Sequence, residues 1–394
     1  MGFIKYTNEE FSALDDGQIN ILALFGNGVD MQLMEYLSSP YRTSYENFYK
    51  YLCYKNFDDK NIIFRKMKQD KKENEYNHNM KNNWSDFENS LIEIFNEDKE
   101  IDDKKLAIDF DRFQKEFSNF LNEIVTPEML ARLGSDSTER NLAVNSFTRF
   151  LGDLSEEDYK KLNFPSEVDH YKLFNWEILN FNYTSLLDNI LTLDKIQFDP
   201  EPRKTVDRQI NYYVNPNNYK NNYCKFNSST IFSCYLMTNI RHPHGYQNVP
   251  KSMLFGFDNK NQITNNKELA KYYLKPYWAQ NDKKYKSYFK ETDLFIIYGM
   301  SLGNSDYWWW SNILGALLTT SSELIIYKYY QNEINETKER VIDDFINLAM
   351  SDDIVIDRDK LHSKIAIVQY TREKNLDAFK LSDRKSIKEY IYGK

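Results

Sequence analysis

Six short apolar runs punctuate the sequence: INILALF (19–25), WEILNFN (176–182), SMLFGF (252–257), DLFIIYG (293–299), ELIIYKY (323–329) and KIAIVQY (364–370). Most are nearly unbroken. A strand with one wet face alternates apolar and polar residues, whereas a strand covered on both faces does not. The unbroken pattern belongs to parallel strands with helices above and below them. The runs therefore predict an α/β fold built on a mostly parallel sheet.

Helical periodicity fills the gap between the first two runs. In LAIDFDRFQKEFSNFLNEI, Leu106, Phe110, Phe113, Phe117, Phe120 and Ile124 recur three or four apart and form one apolar stripe. WSDFENSLIEIF (84–95) repeats the pattern, and NETKERVIDDFINLAM (335–350) sits between two strand runs as a crossover helix should. A crossover needs only about a dozen residues. Residues 61–170 are therefore expected to be a large helical insertion or subdomain. Residues 1–60 and 171–394 are expected to form the sheet domain.

Bulk properties exclude several classes. Hydrophobic residues make up 41% and charged residues 28% of the 394, too apolar for wholesale disorder. The net charge of -8 argues against nucleic acid, whose binders carry a basic surplus. The three cysteines, Cys53, Cys224 and Cys234, form no Cys-x-x-Cys pair. That argues against a disulfide framework and a four-cysteine zinc module. No run approaches the roughly 18 apolar residues of a membrane span, and the first residues lack the apolar core of a signal peptide. A soluble, cytoplasmic protein without membrane partners is expected.

Glycine placement marks where a ligand would sit. Of only 12 glycines, Gly26, Gly28, Gly245, Gly256, Gly299 and Gly303 stand beside predicted strand ends or within a run. Open α/β sheets bind ligands beyond the carboxyl ends of their strands. In LFGNGVD a strand runs into Gly26-Asn27-Gly28, which reads either as a tight turn into a helix or as a loop whose amides approach a phosphate. No third glycine completes a dinucleotide fingerprint. In NFNYTS, Asn182 and Thr184 would share one side if strand geometry persists, while Thr184 or Ser185 suits a helix N-cap. RHPHGYQ holds two of the five histidines, His242 and His244. They suit a general base, a structural pair, or two metal ligands lacking an identified third. In YGMSLGNSDYWWW, Ser305 or Asp306 would cap a helix. Three successive tryptophans, Trp308 to Trp310, spread over some 200° of that helix, which allows core, subunit interface or a ring in the cleft.

The order of these segments, LFGNGVD, TSYENF (43–48), NFNYT, HGYQ with LFGF, and YGMSLGNSD, resembles the AbiH family of phage abortive-infection proteins. That family often has histidine before the Ser-Leu of the last segment, where this chain has Met300. AbiH proteins in turn look like distant relatives of sirtuin-like NAD-binding domains, which implies a Rossmann-like sheet. The resemblance implies NAD as substrate or ligand. Gly26, Asn27 and Gly28 would cradle its pyrophosphate, and the Gly299-Met300-Ser301-Leu302 loop would hold the adenosine side, with Ser301 on the ribose. Asn182, matching the sirtuin-like asparagine, would hold a water or the nicotinamide ribose. His244, of the His244-Gly245 pair, would accept a proton. Asp30 would face the sugar, or would cap the first helix. Thr184 and Asp306 complete the expected cofactor-binding set, and no metal ligand is assigned. The implied activity is NAD+ glycohydrolysis in an anti-phage effector. The alternative is a non-catalytic receptor for a nucleotide or an ADP-ribose-type signal. Expected partners are the nucleotide, a phage-derived trigger and further copies of the chain.

Overall fold

Strand β1, Gln18–Phe25, is the axis of the sheet. On one side of it lie β2 (Leu173–Asn180) and then β4 (Phe232–Arg241). On the other lie β5 (Leu294–Tyr298), β6 (Glu323–Tyr330) and β7 (Ile365–Thr371). A short strand, β3 (Tyr212–Val214), adds antiparallel to the outer edge of β4, and every other pairing is parallel. The order β3-β4-β2-β1-β5-β6-β7 becomes 3-2-1-4-5-6 when only the parallel strands are numbered. That is the doubly wound, Rossmann-like order, whose direction of growth reverses beside β1. The computed structural model describes residues 2–11, 14, 17–76, 84–97, 101–169, 171–194, 212–214, 232–258, 263–350, 356–371, 376 and 378–379. Cys224 lies outside them.

The unbroken apolar runs are explained by the two faces. Ile21, Ala23 and Phe25 join Trp176, Ile178, Ile296 and Tyr298 in one core. Leu22 and Leu24 join Phe295, Ile297, Leu324 and Ile326 in the other. The helices between β1 and β2 cover the first face. The stripe of the helix Asp103–Ile124 enters that core through Phe113, Phe117 and Phe120, and Phe48 packs edge-on against Phe113 and Phe117 at 5.1 and 4.8 Å. Its N-cap, Asp102, accepts from the Lys105 amide, and Thr126 does the same for the Pro127–Arg140 helix that follows. The helices Tyr307–Thr319 and Lys338–Ala349, with the shorter Lys286–Glu291 and Arg358–Lys364, cover the second face. Trp309 and Trp310 are buried there and Trp308 packs against the same core, so the tryptophan run is core packing.

One strand expectation is corrected, and one strand was not expected. SMLFGF is not a strand: a 3-10 turn occupies Pro250–Ser252, and only an isolated bridge joins Phe257 to Leu274. Its apolar residues Met253, Phe255 and Phe257 are buried all the same, in the helix-covered cores. The place expected for it is taken by β4, FSCYLMTNIR, whose polar residues hid it. Asn239 is exposed and Arg241 half-buried, and both bind Glu177 on neighbouring β2. Among the described residues no helix is long and apolar enough to cross a membrane.

Candidate active site

The sheet register brings three strand ends to one level. Phe25 lies opposite both Asn180 and Tyr298, so the turns after β1, β2 and β5 leave the sheet together. The turns after β1 and β5 interlock. The Gly26 amide donates to Tyr298 O at 2.9 Å, and the Gly28 amide donates to Gly299 O at 2.8 Å. A Cβ on Gly28 would stand 2.9 Å from the Gly299 Cα, and one on Gly299 (φ +68°) would stand 2.8 Å from the Val29 amide nitrogen. Only glycine permits this approach. The glycine turn thus meets another stretch of backbone, and two of the three amides expected to cradle a phosphate already have carbonyl partners.

Beyond these turns lies a cavity of about 250 Å³. Gly26, Asn27, Asp30, Asn182, Thr184, His244, Ser301 and Asp306 all line it. Gly28, Gly245 and Gly299, also expected at the site, are not among its lining residues. β2 ends at Asn180, so Asn182 and Thr184 reach the cavity from a turn and not from a continued strand.

Asn182 is held at every polar backbone atom. Its amide donates to Asn180 Oδ1 at 3.0 Å, its carbonyl oxygen lies 2.8 Å from His242 Nδ1, and its side-chain Nδ2 donates to Gly26 O at 3.2 Å. His242 also places Nε2 2.9 Å from Asp188 Oδ1, and Asn180 Nδ2 donates to Asp188 Oδ2. The two histidines of the His-Pro-His turn therefore separate: His242 braces the Asn182 turn and His244 lines the cavity. Among the described residues no three His, Cys, Asp or Glu side chains gather as metal ligands.

Asp30 sits in the first turn of the helix Asn27–Tyr36, whose cap position is Gly26. It is not the cap. Only 1% exposed, it accepts from Thr184 Oγ1 at 2.6 Å through Oδ2, and its Oδ1 has no hydrogen-bond partner. Burial pushes its carboxyl up to about 8 against the opposing hydrogen bond from Thr184. His244 packs edge-on against Phe181 at 5.0 Å. Burial, with the nearby Lys275 charge, pushes it down to about 3, so the ring is neutral at physiological pH.

A family model described as "Bacteriophage abortive infection AbiH" matches residues 22–329. The chain belongs to the AbiH family. This is a family of phage abortive-infection defence, and the match runs from within β1 into β6 and thus spans every segment that reaches the cavity. No curated protein and no solved structure matches the chain.

The AbiH cavity also holds residues that sequence reasoning missed. Lys275, 2% exposed, places Nζ 3.3 Å from both Glu88 Oε2 and Asp306 Oδ1 and 4.0 Å from Asp258 Oδ1. Burial opposes its charge, but Asp306, Glu88 and Asp258 outweigh burial and hold the ammonium well above its ordinary range. Burial in turn raises Glu88 to about 8 in spite of Lys275. Asp306 occupies the expected N-cap position of the Tyr307–Thr319 helix, yet makes no capping bond. Its carboxylate instead faces Lys275 and, at 3.9 Å, His244 Nε2. The signal for this cluster was slight: Glu88 reads as one acid in an amphipathic helix, and Lys275 lies in YLKPYW, outside any predicted element.

Proposed function

We propose that this AbiH protein is an NAD+ glycohydrolase whose activity arrests the infected cell. One observation carries the reading: the Asn182 amide, the neutral His244 ring and the buried Asp30 carboxyl line one cavity at the reversal point of a Rossmann-like sheet, the usual ligand position in such folds. In the reaction the bond between the ribose C1′ and the pyridinium nitrogen breaks. Its electron pair goes to the ring, and nicotinamide leaves neutral. A water oxygen bonds to C1′ and gives up a proton. Asn182, with Nδ2 engaged on Gly26 O, offers Oδ1 to that water or to a ribose hydroxyl. His244 accepts the proton. Positive charge developing on the ribose favours ionised Asp30 over the neutral acid. The cavity, near 250 Å³, is smaller than the roughly 300–1,000 Å³ of whole-ligand pockets. It suits the nicotinamide ribose, with the adenosine running outward along Met300 and the exposed Ser301.

A second reading has its own support. A histidine held at about 3 is a weak base at neutral pH, which favours a receptor that binds a nucleotide or ADP-ribose-type signal without cutting it. The deciding experiment is chromatography of nicotinamide released from NAD+ by the purified protein, with and without extract of phage-infected cells. Release that is lost in Asn182→Ala and His244→Ala supports hydrolysis. No release by wild type in the presence of extract defeats it, and a ligand-induced thermal shift without product supports the receptor.

A further inference from the structure

Four carboxyl groups line the cavity: Asp30, Asp86, Glu88 and Asp306. Among the described lining residues the one lysine or arginine is Lys275, and its ammonium is already shared among Glu88, Asp306 and Asp258. His244 adds no charge. Nothing in this wall is left over to neutralise a phosphate. Two acceptors here lack any partner: Asp30 Oδ1 and Glu88 Oε1, on residues 1% and 6% exposed. Buried acceptors of this kind are costly unless a ligand satisfies them. The rings of Tyr45, Phe181 and Tyr183 line the cavity beside these acids. Aromatic faces and unpaired carboxyl oxygens together recognise a flat, positively charged group.

We propose that the cavity selects N-ribosides of a positively charged aromatic base, and that it does so without help from the phosphates of a dinucleotide. Choosing a pyridinium riboside as the representative ligand rests on the NAD+ reading above. The wall acids act as charge sensors. Burial keeps Asp30 and Glu88 protonated up to about 8, and an arriving cation draws those protons off. A neutral ligand of the same shape leaves them in place.

Isothermal titration calorimetry of the full chain at about neutral pH tests this with two probes that differ mainly in charge, nicotinamide riboside and its reduced, uncharged dihydro form. The oxidised riboside is expected to bind at least ~10-fold tighter, the scale of a desolvated cation–π contact. Its binding should release protons, read by comparing buffers of different ionisation enthalpy, and the release should fade above pH 8, where both acids are already ionised. Asp30→Asn and Glu88→Gln should each narrow the oxidised-to-reduced ratio. Equal binding of the two forms, no binding of either, or ADP-ribose binding as tightly as NAD+ overturns the proposal. Where a variant fails to fold, the wild-type ratio and proton release decide alone. Nicotinamide release is read separately. NAD+ cleavage without oxidised-form preference defeats this inference and spares the hydrolase reading, and preference without cleavage does the reverse.

Discussion

His242 Nδ1 lies 2.8 Å from the carbonyl oxygen of Asn182, so the first histidine of the His-Pro-His turn is a brace for the residue that the NAD+ reading places at the reacting bond. A carbonyl only accepts, so Nδ1 donates. The other ring nitrogen lies 2.9 Å from the Asp188 carboxylate. His242→Ala leaves the Asn182 carbonyl and Asp188 without this partner, at a cost of about 1–3 kcal/mol. Urea unfolding should show that loss, and nucleotide-induced stabilisation should fall with it. An unchanged midpoint and unchanged ligand response would show that the brace is dispensable.

The interlocked glycines predict opposite outcomes at two positions. Gly299→Ala places a Cβ 2.8 Å from the Val29 amide at a φ of +68°, and should destabilise by roughly 1–3 kcal/mol. Gly315→Ala, inside the Tyr307–Thr319 helix with nothing within 4 Å of the new Cβ, should stabilise by about 0.8–1 kcal/mol. Thermal unfolding of both variants checks the pair. Gly299→Ala with wild-type stability would mean that the turns after β1 and β5 are not locked as described.

Asp30 sets a pH dependence of known sign. Its folded carboxyl is raised from 3.8 to about 8, so between those values the folded state holds a proton that the unfolded state has lost. Stability therefore falls as pH rises through that window, by at most ~1.4 kcal/mol per pH unit for this group. Glu88 acts in the same direction. His244, lowered to about 3, acts oppositely below about 6.5. Asp30→Asn removes the first contribution, so its melting temperature should gain on wild type steadily from pH 5 to pH 8. A constant difference across that range would show that Asp30 is ionised in the folded protein.

The sheet was legible because burial on both faces leaves a direct mark on composition, and five of six expected runs, from INILALF to KIAIVQY, are strands or overlap one. Where the reading failed, the strand is covered only in part. Asn239 of β4 is exposed and Arg241 half-buried, so the run is broken by polar residues, and no local pattern announces their partner Glu177, 62 or 64 residues away. SMLFGF misled in the other direction, since Phe255 and Phe257 are buried by helices without any strand partner. The segments of the cavity wall were legible from glycines at strand ends, but Lys275 and Glu88 were not. Their significance comes from a pairing 187 residues apart, which exists only once the helical layer closes on the sheet.

The central position of β1 orders events during synthesis. Phe25 pairs with Asn180 and with Tyr298, so the strand emitted first waits for 155 residues to gain one neighbour and for 273 to gain the other. At about 5–20 residues per second, the second wait lasts roughly 14 to 55 s. Gly26 and Asn182 can meet partway through, but His244 and then Ser301 arrive only as the last wall is made. No nascent fragment short of the fifth strand carries all the groups that line the cavity.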